Sequence, residues 1–294
     1  MIGRVSPLVG VLSLVLVTLI WGSTFVVVKE ALGTIPVPLL LAVRFTLAAS
    51  TLAWAKWDKR AVVPALVLGL LSFAGFATQT AGLTVTSASN AAFITGLSVI
   101  LTPIVARVWL KRALSGRIYL AAVVALAGLA LMTLREGVES INGGDILVLS
   151  TALCYALYIV YLGEVAGKVR GTSLAMMQHL PMAGLAWLWA APQVGKLATV
   201  PVETYLAIAY LAVVATALVA ILQTYAQRVV PAHLTALIFV LEPVFAAGFA
   251  AVLLGERLGT LGWIGAALIL VAMLVAELRL PVPARDRLAP RDGG

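Results

Sequence analysis

Apolar residues run along this chain in long blocks separated by short, turn-rich connections. Windows fall at 9–28, 38–57, 62–83, 87–110, 117–134, 145–163, 172–191, 202–226, 231–254 and 260–278. About 20 apolar residues cross a hydrocarbon core of roughly 30 Å, so each window predicts one membrane-spanning helix. The breaks carry turn residues: Ile35-Pro36-Val37-Pro38 after the first window, Trp57-Asp58-Lys59-Arg60 after the second. The longest internal polar stretch, 135–145, divides ten windows into two sets of five. Beyond Glu277 the chain turns rich in Pro, Arg and Asp, and 281–294 is predicted to be a mobile cytoplasmic tail.

The two sets resemble each other. Shifting the chain by 144 positions lays Gln79-Thr80 on Gln223-Thr224 and carries Ala92, Ile94 and Leu97 onto Ala236, Ile238 and Leu241. Residues 79–134 and 223–278 share 14 identities in 56 ungapped positions. Most are Ala, Leu or Val, which this composition supplies freely, so the paired polar dipeptides weigh more. A fainter echo at an offset of 134 joins Leu19, Val26 and Glu30 to Leu153, Val160 and Glu164. A unit of five spans meets the membrane from opposite sides in its two copies, and inverted repeats of this kind are carrier architecture. The expected fold is an all-α integral membrane protein of ten transmembrane helices. Its repeats are 1–140 and 141–280.

Composition fixes the class and leaves no room for a soluble domain. Hydrophobic residues make up 62% of 294 positions and charged residues 11%, with mean hydropathy +1.09. The net charge of +8 suggests a polyanion partner until its placement is read. With the N-terminus in the cytoplasm, 15 Lys and Arg fall on the inner side and 4 on the outer, with Arg44 inside a span. That is the positive-inside bias of a membrane protein; it puts both termini in the cytoplasm and argues against nucleic acid as a partner. Trp54, Trp57 and Trp109 near inner ends, and Trp187, Trp189 and Trp263 near outer ends, fit interfacial belts. Cys154 is the only cysteine, so no intrachain disulfide forms. The apolar run after Arg4 lacks a small-residue cleavage site and reads as an uncleaved first span rather than a signal peptide. Ala121/Ala125 and Gly262/Ala266 allow close helix packing; a monomer or weak dimer is expected.

Ionisable groups within hydrocarbon cost roughly 2.5–3.5 kcal/mol at a helix centre on insertion scales, so each needs a partner or a wet cavity. Two stand out. Arg44 lies in span two, where its guanidinium suits a substrate carboxylate bidentately, or anchors structure at a helix end. Glu242 lies in span nine directly before Pro243, whose missing N–H breaks the helix ladder at a depth where broken backbone lines cavities. A carboxylate there can bind an ammonium group, exchange a proton and so couple transport to protons, or pair with a neighbouring helix. The other candidate lining residues are Trp21, Ser23 and Thr24 in span one, Gln79 in span three and its mate Gln223 in span eight. Asn90 and Thr95 in span four, Gln178 and His179 in span seven, and Phe239 in span nine join them. Tyr155 and Tyr158 lie one turn apart on span six and, with Trp21, offer stacking surfaces to an aromatic or cationic ligand. Spans five and ten are expected to be peripheral.

Trp21-Gly22-Ser23-Thr24-Phe25, Arg44-Phe45, Leu241-Glu242-Pro243-Val244 and Leu254-Gly255-Glu256-Arg257-Leu258 give the chain its likeness to a known group. It resembles the drug/metabolite transporter superfamily, specifically the ten-span family with two EamA-type repeats. The first copy departs from the pattern, with Lys111-Arg112-Ala113 for Gly255-Glu256-Arg257 and Val99 where Pro243 stands. The resemblance implies a secondary transporter of the bacterial inner membrane that exports small metabolites. Its length and aromatic-bearing spans are similar to the aromatic amino acid exporters, which implies amino acid export, with other metabolites, organic cations and drugs as the alternative. The implied partners are a small-molecule substrate and the lipid bilayer.

An intramembrane enzyme is the remote rival. Gly96-Leu97-Ser98 is too common a pattern to count, only His179 and His233 are present, and the sequence holds no H-E-x-x-H. No catalytic residue, metal or cofactor is expected. A channel would show rings of like charge or carbonyl-presenting loops, and the sequence shows neither.

Overall fold

The computed structural model describes residues 6–86, 88–111, 115–133, 142–253 and 259–277. Side chains at 25–26, 88–90, 92, 132–133, 246–247, 250–253 and 277 are outside that description. So are the tail after 277, residues 134–141 and the loop carrying Glu256 and Arg257. The helices are α1 (Pro7–Leu32), α2 (Val37–Thr51), α3 (Val62–Gly82), α4 (Ala88–Gly96), α5 (Ser98–Leu110), α6 (Gly116–Thr133) and α7 (Gly143–Val165). They continue as α8 (Gly171–Met177), α9 (His179–Ala190), α10 (Val202–Ala212), α11 (Val219–Ala226), α12 (Ala232–Phe239), α13 (Glu242–Leu253) and α14 (Thr260–Glu277). A π-helical segment, Val213–Leu218, joins α10 to α11. No strand occurs among the described residues.

These fourteen helices make ten spans. Spans four, seven and eight, predicted as continuous, are instead interrupted at Leu97, at Gln178 and through the π segment, and span nine breaks at Val240–Leu241, just before Glu242-Pro243. Span two is also shorter than its window. Its helix ends at Thr51, leaving Trp54 and Trp57 exposed in the connection. Among the described residues, five stretches are long and apolar enough to cross a membrane by themselves: 7–32, 59–82, 93–110, 143–165 and 202–226. Fifteen residues of α2 extend only about 22 Å at ~1.5 Å per residue, so that span relies on its flanking turns.

Local chemistry sets the helix ends. Ser6 accepts from Val9 N ahead of Pro7, and Asn142 with Asp145 forms a capping box that starts α7. Lys111 stops α5 in the left-handed region at φ 52°. Connections meet in two groups. At one end Asp58 accepts from Arg170 N (3.0 Å), Ser173 Oγ donates to Lys56 O, and Gly10 abuts Val229 and Val230. At the other, Thr34 Oγ1 bonds Thr204 Oγ1 (2.7 Å) and Thr86 Oγ1 donates to Asp145 Oδ1 (2.5 Å). Successive spans therefore alternate direction, and span six starts at the end opposite span one. The two sets of five spans are inverted.

Packing repeats the inversion. α3 lies along α7 as α1 lies along α11, and α5 meets α7 as α13 meets α1. The pairs α2–α9 and α6–α14 sit on the pseudo-two-fold axis. Ala121, Ala125 and Ala266 are buried in the core that joins α6 to α14, so the small residues serve packing within the chain. Span three approaches the break in span seven backbone to backbone. A Cβ at Gly69 would lie 2.5 Å from Gln178 O and closer still to Pro181 Cγ. Gly69→Val is therefore expected to destabilise the fold by about 1–3 kcal/mol, as overpacking does. Thermal melting in detergent checks this, and an unchanged melting temperature would contradict such tight packing.

Asp58 supplies a pH-dependent link between connections. Its carboxylate accepts from Arg170 N and Arg60 N, and these bonds hold its pKa below the ordinary value. A depressed carboxylate contributes stability above its unfolded pKa, about 3.9, and loses that contribution as pH falls through the folded value. The melting-temperature gap between wild type and Asp58→Asn is expected to be constant from neutral pH to about 4 and to close below it. A gap that closes near pH 6 would refute this.

Candidate functional site

The interrupted spans converge on a cavity at mid-depth. Span eight contributes through its π turn, where Thr216 Oγ1 donates to Leu211 O (2.7 Å), five residues back. π turns free main-chain acceptors and recur at functional sites. Here Ala215 O receives Trp21 Nε1 (3.2 Å) and Arg44 Nη2 (3.5 Å), while Arg44 Nε donates to Thr216 Oγ1 (2.7 Å). The Arg44 guanidinium also lies 4.7 Å from the Phe76 ring centre. Arg44 is buried, 3% exposed, and turned inward, so it does not snorkel to the surface.

Span nine breaks where Pro243 offers no N–H to Phe239 O, and α13 restarts with Glu242 in its first turn. Glu242 faces the cavity, and among the described residues no hydrogen bond or ion pair engages its carboxylate. The first-turn position is favourable to negative charge through the helix dipole. Its repeat mate Ser98 occupies the corresponding restart of span four, at the head of α5, and also lines the cavity. Tyr155 stands within electrostatic reach of both Arg44 and Glu242.

Tyr155 Oη donates to Gln79 Oε1 (3.4 Å), and Gln79 Nε2 donates to Thr95 Oγ1 (3.2 Å). Tyr158 Oη donates to Gln178 Oε1 (2.9 Å), which leaves Gln178 Nε2 buried in the cavity wall without a partner. A buried donor of this kind costs about 1–3 kcal/mol until something accepts from it. Trp21 meets Phe239 edge-on at 5.0 Å, and Phe76 meets Tyr155 at 6.0 Å. The space between atoms here, open mouth included, is about 1300 Å³.

Twelve of the sequence candidates share this lining: Trp21, Thr24, Arg44, Gln79, Thr95, Tyr155, Tyr158, Gln178, His179, Gln223, Phe239 and Glu242. Ser23 does not. Its hydroxyl bonds Tyr210 Oη (2.5 Å) and Ile20 O. Asn90 has its side chain outside the described residues. The lining also includes Ser72, Phe76, Thr80 and Ala215 with Thr216, which the sequence reading passed over. Leu129 corrects the expectation that span five stays wholly peripheral: it reaches the cavity across Gly96, where a Cβ would collide with it. The offsets of 134 and 144 pair much of the lining: Trp21 with Tyr155, Arg44 with Gln178, Ser72 with Thr216, Gln79 with Gln223, Thr95 with Phe239. The pseudo-two-fold axis passes through the cavity, and the charges break its symmetry.

Known proteins match this chain in sequence and in fold. The EamA-like transporter family matches residues 8–134 and 142–277. The chain belongs to that family. It is 33% identical over 278 residues to an uncharacterized transporter of Archaeoglobus fulgidus, covering 94% of this chain and 88% of the relative. It is 30% identical over 284 residues to the uncharacterized transporter YyaM of Bacillus subtilis, covering 89% and 91%. A solved structure shares the fold with TM-score 0.74 at 17% identity, covering 91% of this chain and 96% of its own. This EamA-family chain is a multi-pass membrane transporter, and its family implies a small-molecule substrate.

Proposed function

We propose that the protein is a secondary carrier of the bacterial inner membrane that exports an amino acid by alternating access. The observation that carries this reading is one cavity holding a cation, an anion and an aromatic wall. Arg44 and the unpartnered Gln178 Nε2 receive a carboxylate. Glu242 receives the ammonium group. Trp21, Phe76, Tyr155 and Phe239 enclose the side chain, which favours an aromatic or large apolar one. The positive-inside bias of the sequence supports a cytoplasmic location for the end bearing Asp58, Arg170 and Arg228 and for both termini.

Glu242 is also the group through which a proton gradient drives the cycle, because it titrates and lies exposed to the cavity. Uptake of labelled amino acid into inside-out vesicles, measured with and without a pH gradient, tests this. Stimulation by the gradient in wild type and its absence in Glu242→Gln are the expected pair. A gradient effect that persists in the variant assigns coupling elsewhere.

A second reading rests on the uneven engagement of the two charges. Arg44 already bonds Thr216 and Ala215, whereas among the described residues no hydrogen bond or ion pair engages the Glu242 carboxylate. That arrangement suits an organic cation held by Glu242 and the aromatic wall. Phenylalanine against phenylethylamine as counterflow substrates separates the readings: amino acid export predicts that the acid-bearing compound is preferred.

A further inference from the structure

The cavity stops short at one end of the molecule. On one side it reaches Val28, Thr80 and Leu83. Their repeat mates are Leu162, Thr224 and Gln227, which lie outside the lining and are buried at 0%, 0% and 3% exposure. The end carrying Gln227 is closed by hydrogen bonds between the exit of span eight and span six. Gln223 Nε2 donates to Gln227 Oε1 (3.0 Å), and Gln227 Nε2 donates to Ile159 O (2.8 Å) across the gap left by Gly163. Arg228 Nε donates to Ala166 O (2.9 Å) and Arg228 Nη2 to Val169 O (3.1 Å), with the guanidinium over the Tyr225 ring at 4.4 Å.

Among the described residues, the corresponding positions at the opposite end form no counterpart. Leu83 stands where Gln227 stands and has no side-chain donor. Thr84 stands where Arg228 stands, and its hydroxyl donates back to Ala81 O within its own span. The two exits thus differ: a polar latch joins span eight to span six at one end, whereas at the other the positions corresponding to Gln227 and Arg228 carry no bond between spans.

We propose that Gln227 and Arg228 latch this carrier closed at the end of residues 166–170, and that Gln223 links the latch to the cavity. Gln223 and Ile159 both line the cavity while serving the latch. A bound solute that accepts from Gln223 Nε2 withdraws it from Gln227 and loosens that end. The resting carrier is therefore open toward Leu83, and occupancy favours the exchange of sides. This rests on the carrier reading but on no particular substrate.

The test is sided labelling of one cavity cysteine. Ala220→Cys on a Cys154→Ser background places a thiol in the lining. A membrane-impermeant maleimide is applied to vesicles of either orientation, with Lys168→Cys and Lys196→Cys marking the two ends. The parent is expected to label from the Lys196 end only. Gln227→Leu, close to isosteric, and Arg228→Ala are expected to raise labelling from the Lys168 end by about tenfold, the shift that one or two lost hydrogen bonds give a two-state equilibrium. Arg60→Ala, at the same end, leaves the pattern unchanged. Parent labelling from the Lys168 end, or latch variants indistinguishable from the parent, overturns the proposal. Failure of every amino acid to be transported overturns the substrate reading instead.

Discussion

Glu242→Gln is expected to reduce transport by about a hundredfold or more while leaving the protein folded. Removing one partner of a desolvated charge pair costs about 3–5 kcal/mol, and each ~1.4 kcal/mol is a factor of ten. Stability is expected to hold because Glu242 supports no hydrogen bond among the described residues. The amide keeps the shape of the side chain and the restart of α13 at Pro243. Transport in proteoliposomes and thermal melting, run together, check both halves. A variant that melts early and transports nothing would make Glu242 structural; one that transports at the wild-type rate would remove it from the site.

Arg44→Lys is expected to weaken carboxylate-bearing substrates by about tenfold and spare amines that lack the carboxylate. Lysine keeps the charge but loses the fork, and with it the bond from Nε to Thr216 Oγ1. Thr216→Val separates the structural part of that effect. It removes the acceptor of Arg44 and the donor to Leu211 O while leaving the guanidinium in place. If Arg44→Lys weakens both compound types equally, the residue orders span eight and does not touch substrate.

Much of the cavity was legible in the sequence because hydrocarbon tolerates so few polar groups. Arg44, Glu242, Gln79 and Gln223 stand out against apolar runs, and all four line the cavity. Pro243 announced the break in span nine. Leu97, one repeat earlier, marks the break in span four with no proline at the junction, and only the offset of 144 that lays it on Leu241 signals it. Pro181, which offers no N–H to Met177 O, accounts for the break at Gln178, a signal that the continuous window of span seven did not use.

Other features left no trace a linear reading could use. Ala215 acts through its main-chain oxygen, which any residue supplies, and that oxygen is freed by a π turn whose sequence is plain Val-Val-Ala-Thr-Ala-Leu. Phe76 is one aromatic among apolar neighbours until Arg44 is seen over its ring. Ser23 shows the converse: a hydroxyl beside two lining residues, Trp21 and Thr24, satisfied by Tyr210 instead. Helical phase decides between such neighbours, and the backbone alone fixes it.

Solute counterflow tests the central claim most directly. Purified protein in liposomes preloaded with each of the twenty amino acids or a panel of organic cations is given the labelled solute outside. The account predicts that at least one amino acid, when loaded inside, accelerates uptake of its labelled form, that the effect saturates, and that Glu242→Gln abolishes it. Uptake that no internal solute accelerates, or that rises without saturation, would contradict an alternating-access carrier built on this cavity.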